Sequence, residues 1–596
     1  MDDRGTNTPK NSRGLPTALA VLACLVGGAI RAYWAFLLPY NHAPDEFCHY
    51  AMVRYLSKEN RPPTMADVPA RVPVSYPAVP FVGYLPSAIA HRLWITSLED
   101  HVGARLGNVA VGMATIWVTY AAARRFTPRS PATTLSITWV AALHPQLVFI
   151  DSYSNNDASM ILACGFLWYF WVRIAEVGQS GWTLTALGIA GGIALLTKTN
   201  SLSVLLAGAP IVLEGFWRGA SWKRILVGYS WAALLTGAVC LPWILWSWNH
   251  HRSLWGISVH RQWWFDHLSR NRLEQGFLDL DKFPEFLSMT WQSFWGAFGY
   301  QNVLLADVDY FLATAATGIA VGALISRGRT LPARAGWTNE PAWWALAGSL
   351  TLGIALSWVL HVSHSAQFGL SPQGRYLMPA FFPFASLLCF GWSVLFQSPK
   401  GEWVGGILIT LLVAWLQVEA VDAERSSHRV RQSTREARSR LTTYAAPFPD
   451  ANGEIPWKLE PAEATRLTLA QGLLTLQSEK THFACRTPLL PADRLGWVQF
   501  DEMDRGTETE TGSVAIEAGI APARELGRIP FHRSSRGALT YQLDLRQLAQ
   551  KVAGENVRVV LRWQLSANSL QIRRLEILDR SHQPLSPEVI RVPTGD

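Results

Sequence analysis

Residues 15–50 read LPTALAVLACLVGGAIRAYWAFLLPYNHAPDEFCHY. The first 24 of these residues carry a single charge, Arg31, and they are long enough to cross a bilayer, which takes about 20 mostly apolar residues as a helix. Immediately after them come Pro44, Asp45, Glu46, His49 and Tyr50, a polar cluster at the end of an apolar run. Lys10 and Arg13 precede the run in the manner of a signal peptide, but the run continues past Arg31 to Leu38 and more follow, so an uncleaved first span is expected.

The same pattern recurs along the 596 residues. Runs at 103–123, 131–151, 158–175, 182–197, 199–216, 225–247, 308–326, 342–361, 376–396 and 403–420 complete a set of about eleven spans. Residues 79–95 are apolar but rich in Pro and interrupted by His91 and Arg92, as suits an interfacial helix. Composition agrees with a polytopic α-helical membrane protein. Hydrophobic residues make up 49% and charged residues 16%, against about 25% charged in soluble domains. The 28 Trp suit membrane–water interfaces. The net charge of +8 is explained by basic cytoplasmic loops, and no basic stripe interleaves with aromatics, so nucleic acid is not an expected partner. The six Cys are scattered without CxxC, which argues against a disulfide framework or a zinc site.

The short segments with Arg124 and Arg125, Arg218 to Arg224, Arg327 to Arg334, and Lys400 are basic. Placing them in the cytoplasm puts the N-terminal segment 1–14 inside and the C-terminus outside. The expected organisation is then a transmembrane domain at 15–420 with large outer loops at 39–102 and 248–307, a polar linker or amphipathic helix at 421–440, and an extracytoplasmic domain at 441–596. Alternation at Leu539, Tyr541, Leu543 and Leu545, and at Val557, Val559, Leu561, Trp563 and Leu565, predicts that this last domain is β-rich.

That topology gathers the reactive residue types on the outer face: Asp45, Glu46 and His49; Asn155, Asn156 and Asp157; Lys198; Trp295 in Ser293 to Tyr300; and Gln373, Arg375 and Tyr376. Each has a plain structural explanation. The acids and Asn156 could cap helices, Lys198 and Arg375 could snorkel, and the aromatics could anchor the interface. As a set they suit group transfer at the membrane edge. A carboxylate can deprotonate a hydroxyl, while Arg and Lys neutralise a departing phosphate. Neighbouring helical residues do not share a face, so only one of Asp45 and Glu46 is expected to point at a reaction centre. His361 and His364 lie near the same end, without a spacing that supports a metal site.

The ordered pieces Pro44-Asp45-Glu46-x2-His49, Asn156-Asp157, Phe294-Trp295-Gly296-x-Phe298-Gly299 and Gln373-Gly374-Arg375-Tyr376-x2-Pro379 resemble the GT-C superfamily of membrane glycosyltransferases, and within it a bacterial multi-pass branch. The resemblance covers about residues 15–420 and departs from the pattern at Phe81 and Tyr300. It implies a GT-C-like fold in a bacterial plasma membrane. It further implies inverting transfer of a sugar from a polyprenyl-phosphate donor to an envelope glycan or lipid acceptor outside the cytoplasm. Asp45 would be the catalytic base with Glu46 beside it, Arg375 and Lys198 would hold the donor phosphate, and His49, Asn156, Asp157, Trp295, Gln373 and Tyr376 would support or bind substrate. Some members need a divalent metal ion and others do not, so that cofactor stays open. A lipid-linked-saccharide flippase or a non-catalytic scaffold are the alternatives.

Overall fold

In the computed structural model the described residues are 14–65, 67, 76–94, 100–219, 221–260, 262, 283–368, 371–396, 398–441 and eleven strands between 458 and 578. Residues 1–13 of the expected N-terminal segment, 442–457 of the expected C-terminal domain, and Leu545 and Leu565 lie outside them. The chain divides into two compact units near residue 432.

Among the described residues of the first unit, nine helices are long and apolar enough to cross a membrane: Gly14–Leu37, Asp100–Phe126, Asp157–Val177, Thr199–Trp217, Trp222–His251, Asp307–Ser326, Glu340–Ala366, Gly374–Leu395 and Pro399–Ser427. The shorter apolar helices Pro131–Leu143 and Gly181–Thr197 occupy the two remaining predicted positions. Leu, Val and Phe on the outward faces are exposed, as expected where lipid rather than water is the solvent; Leu234, Val227 and Phe311 are examples.

Prolines and a glycine break three of the expected continuous spans. The run at 131–151 divides at His144, whose extended backbone (ψ 119°) precedes Pro145; the proline ring excludes helical geometry from the residue before it. The run at 199–216 becomes a 3₁₀ turn, Thr199–Ser201, then Leu202–Leu206 and Ala209–Trp217, with the Trp171 indole packed against Gly208. The run at 376–396 opens as a 3₁₀ segment, Gly374–Ala380, and becomes α-helical at Phe381–Leu395. In the opposite direction, the segment 421–440, expected as a linker or an amphipathic helix, is helical: the last helix continues without a break from Pro399 to Leu441. Its Glu, Arg, Ala and Gln are good helix formers.

The interfacial segment folds as a 3₁₀ turn, Val82–Tyr84, followed by the helix Leu85–Leu93. It docks on the start of Asp157–Val177, where Ser159 Oγ donates to the Gly83 carbonyl at 2.8 Å.

In the second unit the described strands form two antiparallel sheets. One runs in the order Arg524–His532, Thr511–Ala518, Asn556–Gln564, His482–Arg486, Lys458–Glu460, with Leu490–Pro491 also paired to Asn556–Gln564. The other runs Leu539–Asp544, Trp497–Met503, Ser569–Leu578, Leu473–Ser478, Thr465–Ala470.

Candidate functional site

Asp45 follows the first span and immediately precedes the helix Glu46–Glu59. Its backbone is left-handed (φ 60°, ψ 12°) and its side chain makes no capping hydrogen bond. Asp tolerates this conformation better than most residues, yet it still costs about 1 kcal/mol or more. The capping explanation therefore fails for this residue: the carboxylate is aimed elsewhere, and it is 41% exposed. Its Oδ2 lies 3.3 Å from Nη2 of Arg375.

Glu46, expected beside Asp45 as a catalytic partner, points the other way. It is fully buried and bound bidentately by Arg105, with Nε to Oε1 at 2.6 Å and Nη2 to Oε2 at 2.7 Å. Arg105 also donates to the carbonyls of Ala35, Leu38 and Pro39, the unsatisfied end of the first helix. Glu46 in turn accepts from the Asn41 amide at 2.9 Å. This corrects the catalytic assignment: Glu46 is the anchor that fixes the loop carrying Asp45.

The turn before Asp157 is set in the same way. Asn155 Oδ1 accepts from the Ala158 amide at 3.0 Å, so Asn155 is the capping side chain. Asn108 of the second span holds the Tyr153 and Asn155 carbonyls at 2.6 and 3.1 Å. Asp157 is left to bind cations. Its Oδ1 takes Lys198 Nζ at 2.5 Å, and its Oδ2 lies 4.0 Å from Arg375 Nη1. Lys198 is thus a paired residue at the end of Gly181–Thr197 and does not snorkel. Both cations stand against the Tyr376 ring, Nζ of Lys198 at 5.3 Å and Cζ of Arg375 at 5.5 Å from its centroid.

Of the two roles expected for the aromatic-glycine motif, support or substrate binding, the geometry fits support. Trp295 is fully buried, stacked on His144 and packed edge-on to Phe384, outside the site. Its motif shapes the chain that carries Arg375. Ser293 Oγ accepts from the Gly374 amide at 2.6 Å and donates to the Pro372 carbonyl at 3.1 Å. A Cβ on Gly374 would lie 2.2 Å from the Phe294 amide nitrogen, so only glycine permits this approach.

Together Asp45, His49, Asn156, Lys198, Gln373, Arg375 and Tyr376 face one cavity of about 400 Å³, with Asp157 behind the cations. That volume lies within the range of small-ligand pockets. Tyr76, Thr197 and His364 complete its walls together with Trp255 and His260, the two that sequence reading missed. Sequence reading also missed Arg105 and Asn108, although a charge inside an apolar span is itself a signal. The Trp255 loop is seated by Gly256 (φ +76°), where a Cβ would collide with the Ala78 carbonyl.

The electrostatics are balanced, with two cations against two carboxylates. Arg375 Nε and Nη1 are buried without a hydrogen-bond partner among the described residues, and so is Gln373 Oε1. His49 is buried with Nδ1 2.8 Å from the Tyr84 hydroxyl. Burial pushes its pKa down to about 4, so it is neutral at pH 7, and burial also raises the Tyr84 and Tyr76 hydroxyls well above their usual range. Among the described residues no cluster of three or more His, Cys, Asp or Glu has the arrangement of a metal site.

Comparison with known proteins adds three findings. Residues 80–246 match the family model described as dolichyl-phosphate-mannose-protein mannosyltransferase, which is a GT-C family. This supports the GT-C resemblance of the transmembrane unit. Among solved structures, the chain is similar to the apo oligosaccharyltransferase of Archaeoglobus fulgidus at 12% identity and TM-score 0.44, covering 69% of this chain and 56% of that one. It therefore spans just over half the length of that protein. It is also similar to ArnT from Cupriavidus metallidurans bound to undecaprenyl phosphate, at 13% identity and TM-score 0.34, covering 69% of this chain and 78% of that one. No curated protein matches the chain.

Proposed function

We propose that this chain is a GT-C-type membrane glycosyltransferase that moves a sugar from a polyprenyl-phosphate donor to an envelope glycan or lipid acceptor, with inversion. The observation that carries the reading is the half-exposed Asp45 carboxylate beside Arg375 on the wall of a cavity that also contains Lys198. A hydroxyl entering this cavity meets a carboxylate that can take its proton as it attacks the anomeric carbon. The bond to the lipid phosphate breaks on the opposite side, and the leaving phosphate needs positive charge. Arg375 has buried donors to spare for it, and Lys198 supplies a point charge. A phosphate competing for the Arg375 guanidinium also loosens its hold on Asp45, so donor binding frees the base.

The site lies where successive spans end, which suits a donor whose tail stays in the bilayer. On this reading the cavity opens to the extracytoplasmic side of a bacterial plasma membrane. His49 and Asn156 shape the acceptor side, and Gln373 and Tyr376 the donor side. Dialysis against a chelator before the transfer assay tests whether a divalent ion takes part.

The reading is tested in membranes with radiolabelled polyprenyl-phosphate sugars as a panel, following transfer to envelope glycans. Wild type should transfer label from one donor, and Asp45→Asn should lose at least about 100-fold. Arg375→Ala should lose comparably. Transfer unimpaired in Asp45→Asn refutes the base assignment. Absence of transfer from every donor, with lipid-linked sugar crossing the bilayer, favours a flippase.

A further inference from the structure

A second, smaller cavity of about 230 Å³ lies between the helices Glu46–Glu59 and Leu85–Leu93. Its walls are Leu56, Phe81 and Ala88, with Arg92 at the rim. On Leu85–Leu93 the residues Leu85, Ile89 and Leu93 fall four apart, on one face, and all are exposed, by 36%, 59% and 72%. Arg92 stands seven residues from Leu85, on the same face. Its guanidinium spends Nη1 on Asn60 Oδ1 at 2.7 Å, and among the described residues it has no carboxylate partner. The neighbouring Arg61 is already held by Asp67 at 2.6 Å. Exposed Arg54 and Lys58 add positive charge near His91; Asp100 opposes them there, and Glu59 and Asp67 are the other nearby acids.

An apolar row ending in an unpaired arginine, on a short helix beside the ends of membrane spans, has the chemistry of a headgroup site. The row enters the acyl region, and the guanidinium meets the phosphate. Phe81 of this cavity follows Pro80 of the cavity that holds Asp45, so the two share one wall segment. We propose that this groove binds an anionic glycerophospholipid of the surrounding bilayer, its phosphate on Arg92 and its acyl chain along Leu85 and Ile89. The inference does not depend on the glycosyl-transfer reading.

The test uses the full-length protein in nanodiscs of equimolar phosphatidylglycerol and phosphatidylcholine, released into native mass spectrometry so that retained lipids are counted. Wild type should keep phosphatidylglycerol in preference to phosphatidylcholine. Arg92→Gln should lower that retention about fivefold, the factor expected for one basic residue at an anionic lipid surface. Ile89→Ser, which leaves every charge in place, should lower retention of both the lipid and its preference. Arg329→Gln, in the 3₁₀ turn Gly328–Thr330 far along the chain, should lower phosphatidylglycerol retention by much less than Arg92→Gln. Equal retention of the two lipids by wild type, or unchanged retention in Arg92→Gln, overturns the proposal. So does loss of the preference on adding inorganic phosphate alone at millimolar concentration, which would mean that only the anion is bound.

Discussion

Adjacent carboxylates should behave oppositely when removed. Glu46 is fully buried and shares a bidentate pair with Arg105, which in turn holds three carbonyls of the first span's end. Glu46→Ala leaves a guanidinium buried with neutral acceptors only. Breaking a buried pair in this way costs about 3–5 kcal/mol. Glu46→Gln keeps the shape and one acceptor but loses the charge, for about 2 kcal/mol. Asp45 is 41% exposed and its pair with Arg375 is long, at 3.3 Å. Water screens the half-exposed carboxylate, Asn keeps an acceptor for the buried Arg375, and Asp157 remains 4.0 Å from that guanidinium, so Asp45→Asn should cost about 1 kcal/mol, less than either change at Glu46. Unfolding of the three variants in mixed detergent micelles should rank them Glu46→Ala, Glu46→Gln, Asp45→Asn, from least to most stable. Sugar transfer, measured where all remain folded, should instead be lost in Asp45→Asn and only reduced in the Glu46 variants, through a loosened Asp45 loop. If Glu46→Ala unfolds like wild type but transfers nothing, Glu46 belongs in the chemistry and the anchoring role is wrong.

Two further outcomes follow from the site. Gly374→Ala forces a Cβ to within 2.2 Å of the Phe294 backbone nitrogen, so the Arg375 loop must shift. A displacement near 1 Å should cost about 100-fold in transfer rate, and a rate equal to wild type would show that the loop has slack. His49 has its pKa held down to about 4 by burial, against 6.5 ordinarily. The unfolded chain therefore binds the proton first as pH falls, and stability that is complete above pH 6.5 is lost progressively towards pH 4, by about 3 kcal/mol. In His49→Gln, which can still meet the Tyr84 hydroxyl, denaturation midpoints measured between pH 7 and 4 should lose this limb; an unchanged slope would assign it to other groups.

The spans were legible because bilayer thickness imposes a length that composition cannot hide. Every run read from the sequence corresponds to an apolar helix or to consecutive helices. The misreadings came where a local rule met a long apolar run. Pro145 drives His144 out of helical geometry while leaving the run unbroken, and Gly208 admits the Trp171 ring between two short helices. Averaging over about 20 residues cannot register a single such residue. At 421–440 the sequence left a linker and an amphipathic helix open, because polarity marks the loss of apolar surroundings and not the loss of helix; the chain stays helical.

For the site, sequence order and spacing identified the residues but could not assign their directions. Asp45 stands just before the helix in a left-handed conformation while Glu46 opens it, and what turns Glu46 inward is Arg105, 59 residues further on. Asn155 and Asp157 divide capping and cation binding between them for a similar reason: Asn108 takes the carbonyls of the turn, and Lys198 and Arg375 take the carboxylate. For the aromatic motif around Trp295 the sequence left interface anchoring, support and substrate binding open. The motif's effect reaches the cavity through Ser293 and the Phe294 backbone, against which Gly374 lies. The same logic extends to the last span. His42, three residues before Asp45, is buried against Glu424 at 2.8 Å. The loop that presents Asp45 is therefore held from two sides, by Arg105 through Glu46 and by Glu424 through His42. A catalytic carboxylate in a strained backbone needs such anchoring, because the strain at φ 60° persists only where neighbouring contacts over-determine the conformation.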